Sequence, residues 1–151
     1  MQTTTEARQE LLERIGRATD ALGFALASLG AAYEQLDQFK ADELEEQLFQ
    51  PAQRAYGRMR RAHTEFATRH GIADRKFEPS APGLPSIGAK AFIENAVTAV
   101  GRADAALAEL QDSLLPVEVG DPELRAALAD LRELLAGFAD RARELVRTLG
   151  R

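Results

Sequence analysis

Apolar residues recur along four long stretches of the chain at steps of three and four, and nowhere do they alternate at the period of two that marks a strand. Such steps place side chains on one face of a helix. The first stretch, about Thr5 to Phe39, carries Leu11, Ile15, Ala18, Leu22, Leu26, Leu29, Tyr33 and Leu36. Thr3 and Glu6 have capping-box spacing at its start. The second, about Asp42 to His70, carries Leu44, Leu48, Ala52, Ala55, Met59, Ala62 and Phe66. Asp42 and Glu45 suggest its N-cap, and Gly71 its C-cap. Acids crowd its start and arginines its end, which suits the helix dipole. The third, about Gly88 to Leu115, carries Ile93, Ala96, Val100, Ala103, Leu107, Leu110 and Leu114, and Pro116 ends it. The fourth, Asp121 to about Leu149, repeats in heptads through Leu124, Leu128, Leu131, Leu135, Phe138, Ala142, Leu145 and Leu149. Asp121 is its expected N-cap, with Pro122 in the first turn.

The boundary between the first two stretches is poorly marked, since neither Gly nor Pro occurs between Gly30 and Pro51. A turn near Lys40–Ala41 makes Pro51 a kink inside the second helix. Alternatively the first helix continues to about Phe49 and the second begins at Pro51. The first reading gives four helices of similar length and is preferred. Residues 71–87 hold Pro79, Pro82 and Pro85 and form a long irregular connection. Extended, about 17 residues span roughly 55 Å, against about 42 Å for a helix of about 28 residues. The connection can therefore cross the whole molecule or close an antiparallel turn. The short link after Pro116 makes the third and fourth helices antiparallel neighbours. These features predict one all-α domain over residues 1–151. It is a four-helix bundle with coiled-coil-like packing and a long Pro-rich connection between helices two and three.

Composition narrows the function. With 45% hydrophobic and 28% charged residues, the chain is globular rather than disordered. A net charge of −5 argues against nucleic acid and against anionic membranes as partners. The absence of cysteine excludes disulfides, thiolate catalysis and Cys-based metal sites. No apolar run approaches the roughly 20 residues that cross a bilayer. The opening Met1–Glu6 lacks the basic and apolar parts of a signal peptide, so the expected location is the cytoplasm.

Candidate chemistry is sparse. The apolar stripes of the first, third and fourth helices contain no charged residue, and the positions three before His63 and His70 are Arg60 and Ala67. A carboxylate-bridged metal site of the kind bundles hold is not expected. Nucleophile-elbow and phosphate-loop motifs are missing. His63 and His70 lie about 10 Å apart along a helix, too far to share a metal. They read as a boundary residue and a helix-end cation. The basic run Arg54, Arg58, Arg60, Arg61, Arg69, Arg75, Lys76 spreads around the helix and reads as a salt-bridged surface. No catalytic, cofactor-binding or metal-binding residue is assigned.

Helix one is the exception to this plainness. Gly16, Gly23 and Gly30 recur every seven residues, and each costs about 1 kcal/mol against Ala in a helix interior. Such a stripe lets another helix come close, either within the bundle, the simpler reading, or from a second chain. Residues Ala21–Tyr33 are apolar around the whole helix apart from Ser28, which predicts burial all round. Phe24 lies off the inward stripe and needs a cover. That cover is either the Pro-rich connection, through Phe77, Leu84 and Ile87, or a second protein chain. Gly16, Gly23, Phe24 and Gly30 are therefore the candidate interface. The expected function is non-enzymatic, through protein–protein contact or self-association as a homo-oligomer such as a dimer, without a cofactor. The alternative is a bundle that binds a small apolar ligand between its helices.

Overall fold

The computed structural model describes residues 2–78 and 80–149. The chain is all-helical, with 83% helix and no strand among the described residues. Helix α1 spans Thr4–Glu34. Thr3 caps it: its hydroxyl accepts from the Glu6 N–H at 3.0 Å and donates to the Glu6 carboxylate at 3.1 Å.

The first turn falls earlier than either expected boundary. Asp37, not Asp42, is the cap of the next helix, and its side chain accepts from the Lys40 N–H at 2.9 Å. From there the chain stays helical through α2 (Gln38–Leu44), a π-helical turn (Glu45–Phe49) and α3 (Gln50–His70). The π turn is the local answer to Pro51. Proline has no N–H for the carbonyl four residues back and its ring crowds that carbonyl. That carbonyl is Gln47 O, which accepts instead from Arg141 Nε at 2.9 Å. Pro51 thus lies inside a continuous helical run, as preferred, while the start of that run is corrected to Gln38.

Helix α3 ends at Gly71 in the left-handed conformation (φ 63°). The Ile72 N–H reaches back to Ala67 O at 2.9 Å, and Ile72 packs on the core. This Schellman ending reverses the chain. The irregular segment that follows runs beside α1. Arg75 pairs with Asp20 in the middle of α1, and Pro85 O accepts from Gln35 at its end. The segment is therefore a lengthwise crossover. It places α3 and α4 (Gly88–Asp112) parallel to each other and antiparallel to α1. Pro79 lies outside the described residues.

The fourth expected helix is two helices. After the short α5 (Leu115–Glu118), α6 spans Pro122–Leu135 and α7 spans Phe138–Leu149. Gly137, at φ 77°, breaks the run. Five helices longer than ten residues result, rather than four. Helix α1 packs on α3 and α4, α3 on α6, and α4 on both α6 and α7. The expected stripes of the second and third stretches are buried, except Leu114, which lies past the end of α4 and is exposed. The fourth stripe stays buried from Leu124 to Leu145 across the break, with Leu149 half-buried. On α1 burial follows Leu22, Ala25, Leu29 and Ala32, while Leu26 and Tyr33 are half-buried. Neighbours on two sides of α1 select the small residues for its inner seam.

Two polar clips hold the ends together. Arg141 donates to Gln47 O and, at 3.1 Å, to Ala136 O beside the Gly137 break. Asp121 caps α6 through the Leu124 N–H and takes Arg69 on both carboxylate oxygens at 2.7 and 2.9 Å. His70 Nε2 sits 2.9 Å from the same carboxylate. Burial alone would raise the Asp121 carboxyl, but Arg69, the Leu124 N–H and His70 hold it down at about 2.

Two predictions follow from these clips. The Asp121 contribution is fully present above about pH 4 and is lost as pH falls through about 2, because its folded value lies below the unfolded one. Asp121→Asn therefore lowers stability by about 2 kcal/mol at neutral pH and flattens the acid limb of the pH–stability curve, read by urea titration. Arg141→Met removes the shared donor of the Gln47 and Ala136 carbonyls and destabilises by about 0.5–1.5 kcal/mol, whereas Arg143→Met changes stability by less than about 0.5 kcal/mol.

Candidate functional site

The Schellman turn after α3 carries residues 74–77 back over the helix they have just left. Asp74 lands on His63, whose side chain is 3% exposed, with Oδ1 at 2.7 Å from Nδ1. Thr64 donates its hydroxyl to the other oxygen at 2.9 Å. Burial alone would raise the Asp74 carboxyl; the Thr64 hydroxyl, the Arg75 backbone N–H and His63 together hold it below the ordinary carboxylate range. An ionised carboxylate only accepts, so Nδ1 carries the proton. Nε2 has no hydrogen-bond partner among the described residues and points toward α1, where a Cβ placed on Gly16 would stand 3.9 Å away. A groove of about 500 Å³ opens there, lined by Gln9, Leu12, Glu13, Arg17, Ile72 and Arg75 along with His63.

Arg75 locks the returning segment from above. Its guanidinium forks onto Asp20 at 2.6 and 3.1 Å and lies 4.2 Å from the Phe77 ring centre. Phe77 meets His63 edge-on, with 5.1 Å between the rings. On the far side of this segment a second groove, of about 590 Å³, is lined by Gly57, Arg60, Arg61, Thr64 and Glu65 of α3 and by Asp74–Phe77. Steps of three and four put the α3 members on one helix face.

Of the basic run, Arg54 has no ion-pair partner among the described residues and does not line the second groove; the other six divide into two groups. Arg58 pairs with Asp130, Arg69 with Asp121 and Arg75 with Asp20, as a salt-bridged surface requires. Arg60, Arg61 and Lys76 have no ion-pair partner among the described residues, and all three line the second groove. The expectation that the run spreads around the helix fails for these, because the crossover brings Lys76 to the face that holds Arg60 and Arg61.

The glycines of α1 have different surroundings. A Cβ on Gly16 would stand 3.2 Å from the Arg75 guanidinium, and one on Gly23 would stand 3.2 Å from the Tyr56 ring. Both positions seat side chains of the same chain. Gly30 has nothing within 4 Å of where its Cβ would be. Phe24 is half-buried against the core, and no residue of Ala21–Tyr33 is fully exposed. Of the proposed covers in the connection, Phe77 sits on His63, while Leu84 and Ile87 are 73% and 43% exposed.

Sequence reasoning missed the His63–Asp74 pair. Its signal was Gly71 followed by the apolar Ile72, which specifies a chain reversal and so returns the next acid to the last turns of the helix. Among the described residues no three His, Asp or Glu side chains form a metal-binding group, and no helix is long and apolar enough to cross a membrane. Comparison with protein-family models, curated proteins and solved structures finds no match to this chain.

The glycine surroundings predict a graded series. Gly30→Ala raises the stability of the isolated chain by about 1 kcal/mol, since it gains helix propensity and meets nothing of that chain within 4 Å. Gly23→Ala gains less, because the Tyr56 ring has to shift. Thermal denaturation of both variants checks the order, and equal gains would contradict the close seating of Tyr56.

Proposed function

We propose that this chain is a non-enzymatic four-helix-bundle protein that acts by protein–protein contact, specifically by self-association. In this reading the walls of the bundle are α1, the run from Gln38 to His70, α4, and the interrupted pair α6–α7. The observation that carries it is the grouping of three exposed apolar side chains at the end where α4 begins; Leu114 and Val117 are exposed at its other end. Phe39 and Leu84 are 69% and 73% exposed and Ile87 is 43% exposed. The Gln35–Pro85 hydrogen bond ties the segments bearing them together. Large apolar side chains grouped on a surface mark contact sites. Gly30, open and about 7.5 Å along the helix from Gln35, belongs to the same end, whereas Gly16 and Gly23 are taken up by the chain's own side chains. The interface proposed here therefore keeps Gly30 and the half-buried Phe24 of the glycine seam and adds Phe39, Leu84 and Ile87. The alternative of a small apolar ligand gains no support from the two grooves beside His63, whose linings are rich in charge.

Light scattering tests the proposal. The expected outcome is a dimer mass for the wild type at concentrations of about tens of micromolar. The double variant Phe39→Asp, Leu84→Asp is expected to be a monomer with an unchanged circular dichroism spectrum, since both residues are exposed in the isolated chain. A monomer mass for the wild type ends this reading.

A further inference from the structure

The groove between α3 and the returning segment holds more positive charge than the fold uses. Four cations line it, from Arg60, Arg61, Arg75 and Lys76, along with two carboxylates, from Glu65 and Asp74. Arg75 is committed to Asp20 and to the Phe77 ring. Asp74 is committed to His63 and Thr64. Arg60, Arg61 and Lys76 then face the single carboxylate of Glu65, in a chain whose net charge is −5. Like charges brought together without partners repel, and none of Arg60, Arg61 and Lys76 has an ion-pair partner among the described residues, whereas Arg58, Arg132, Arg143 and Arg147 each pair with an acid.

The cluster is also held in place. Tyr56 fills the space left open at Gly23, and Arg60 stands over its ring at 5.4 Å. The Arg61 guanidinium lies along Gly57, where a Cβ would stand 3.3 Å away. The backbone at Lys76 is anchored on both sides, since Arg75 grips Asp20 and Phe77 packs on His63, and its side chain is exposed.

We propose that this groove is a binding site for a small phosphorylated anion, held by Arg60, Arg61 and Lys76. Guanidinium groups donate paired N–H bonds that match phosphate oxygens, and an ammonium adds a point charge. The excess of two positive charges balances a phosphate dianion. A volume of about 590 Å³ lies within the size range of small-molecule sites. A nucleic acid needs a positive field extending well beyond one groove, and this chain carries a net charge of −5. The site is separate from the apolar end of the molecule, so either proposal stands or falls alone.

The test uses the purified chain, titrated by calorimetry and by amide NMR with three probes: inorganic pyrophosphate, ADP and a hexaglutamate peptide. Saturable pyrophosphate or ADP binding with a Kd below about 1 mM is expected, with shifts confined to residues 57–65 and 74–77. Lys76→Ala and the pair Arg60→Ala, Arg61→Ala are each expected to weaken binding about tenfold or more, while the distant Arg147→Ala changes nothing. All of these positions are on the surface, and unchanged melting curves verify that the variants fold. Tighter binding of ADP than of pyrophosphate identifies a phosphate ester as the ligand, and equal binding identifies the inorganic anion. The proposal is overturned by the absence of saturable binding, by variants that bind like the wild type, or by tighter binding of hexaglutamate.

Discussion

The face of α1 left open at Gly16 and Gly23 seats two side chains from the elements laid over it. Side chains at these positions would occupy the space now filled by the Arg75 guanidinium and the Tyr56 ring. Beside Gly16, Arg75 crosses the face of α1 to reach Asp20, and His63 is buried next to it. Asp74, Lys76 and Phe77 then take their positions as neighbours of that anchored arginine. Mid-helix glycines are unfavourable for α1 by itself. Their effect is offset by a seam that positions a buried histidine and the walls of two grooves.

A helical protein has few ways to interrupt a helix without leaving backbone groups unpaired. This one does so at Pro51 and at Gly137, and both freed carbonyls fall within reach of the Arg141 side chain. The π turn before Pro51 and the break before α7 are thus two faces of one arrangement, with α7 packing on the π turn. At the opposite end Asp121 closes the start of α6 and the end of α3 together. Each clip joins elements far apart in sequence through a charged group with several partners, which is where a hydrogen bond contributes most.

The periodic stripes were legible because burial follows them directly: Leu44 to Phe66, Ile93 to Leu110 and Leu124 to Leu145 all lie inside. So were Thr3, Gly71 and Asp121, whose capping chemistry is local. What was not legible depended on competition or distance. Asp37 and Asp42 have equal claims as caps until the turn geometry chooses between them. Gly137 lies in an unbroken heptad pattern, and nothing local announces that α6 and α7 separate there. Arg60, Arg61 and Lys76 look dispersed on a helical wheel, because Lys76 joins the two arginines only through the crossover. The candidate site was therefore almost invisible in sequence, although its glycine seats were visible as an unexplained heptad.

The crossover also bears on how the chain assembles. The tight turn at residues 35–37 lets α1 and α3 close as a local hairpin early. Docking α4 on α1 closes a connection of about 17 residues, which carries a larger loop-closure entropy than the turn at residues 35–37. Until α4 docks, the inner seam of α1, with Ala25, Leu29 and Ala32, stays open to solvent. A bundle in which consecutive helices simply alternate direction needs no connection of this length. Higher sequence separation of contacts slows folding, so the α1–α4 pairing, made across the whole of α2, α3 and the crossover, places this chain toward the slower side of helical proteins.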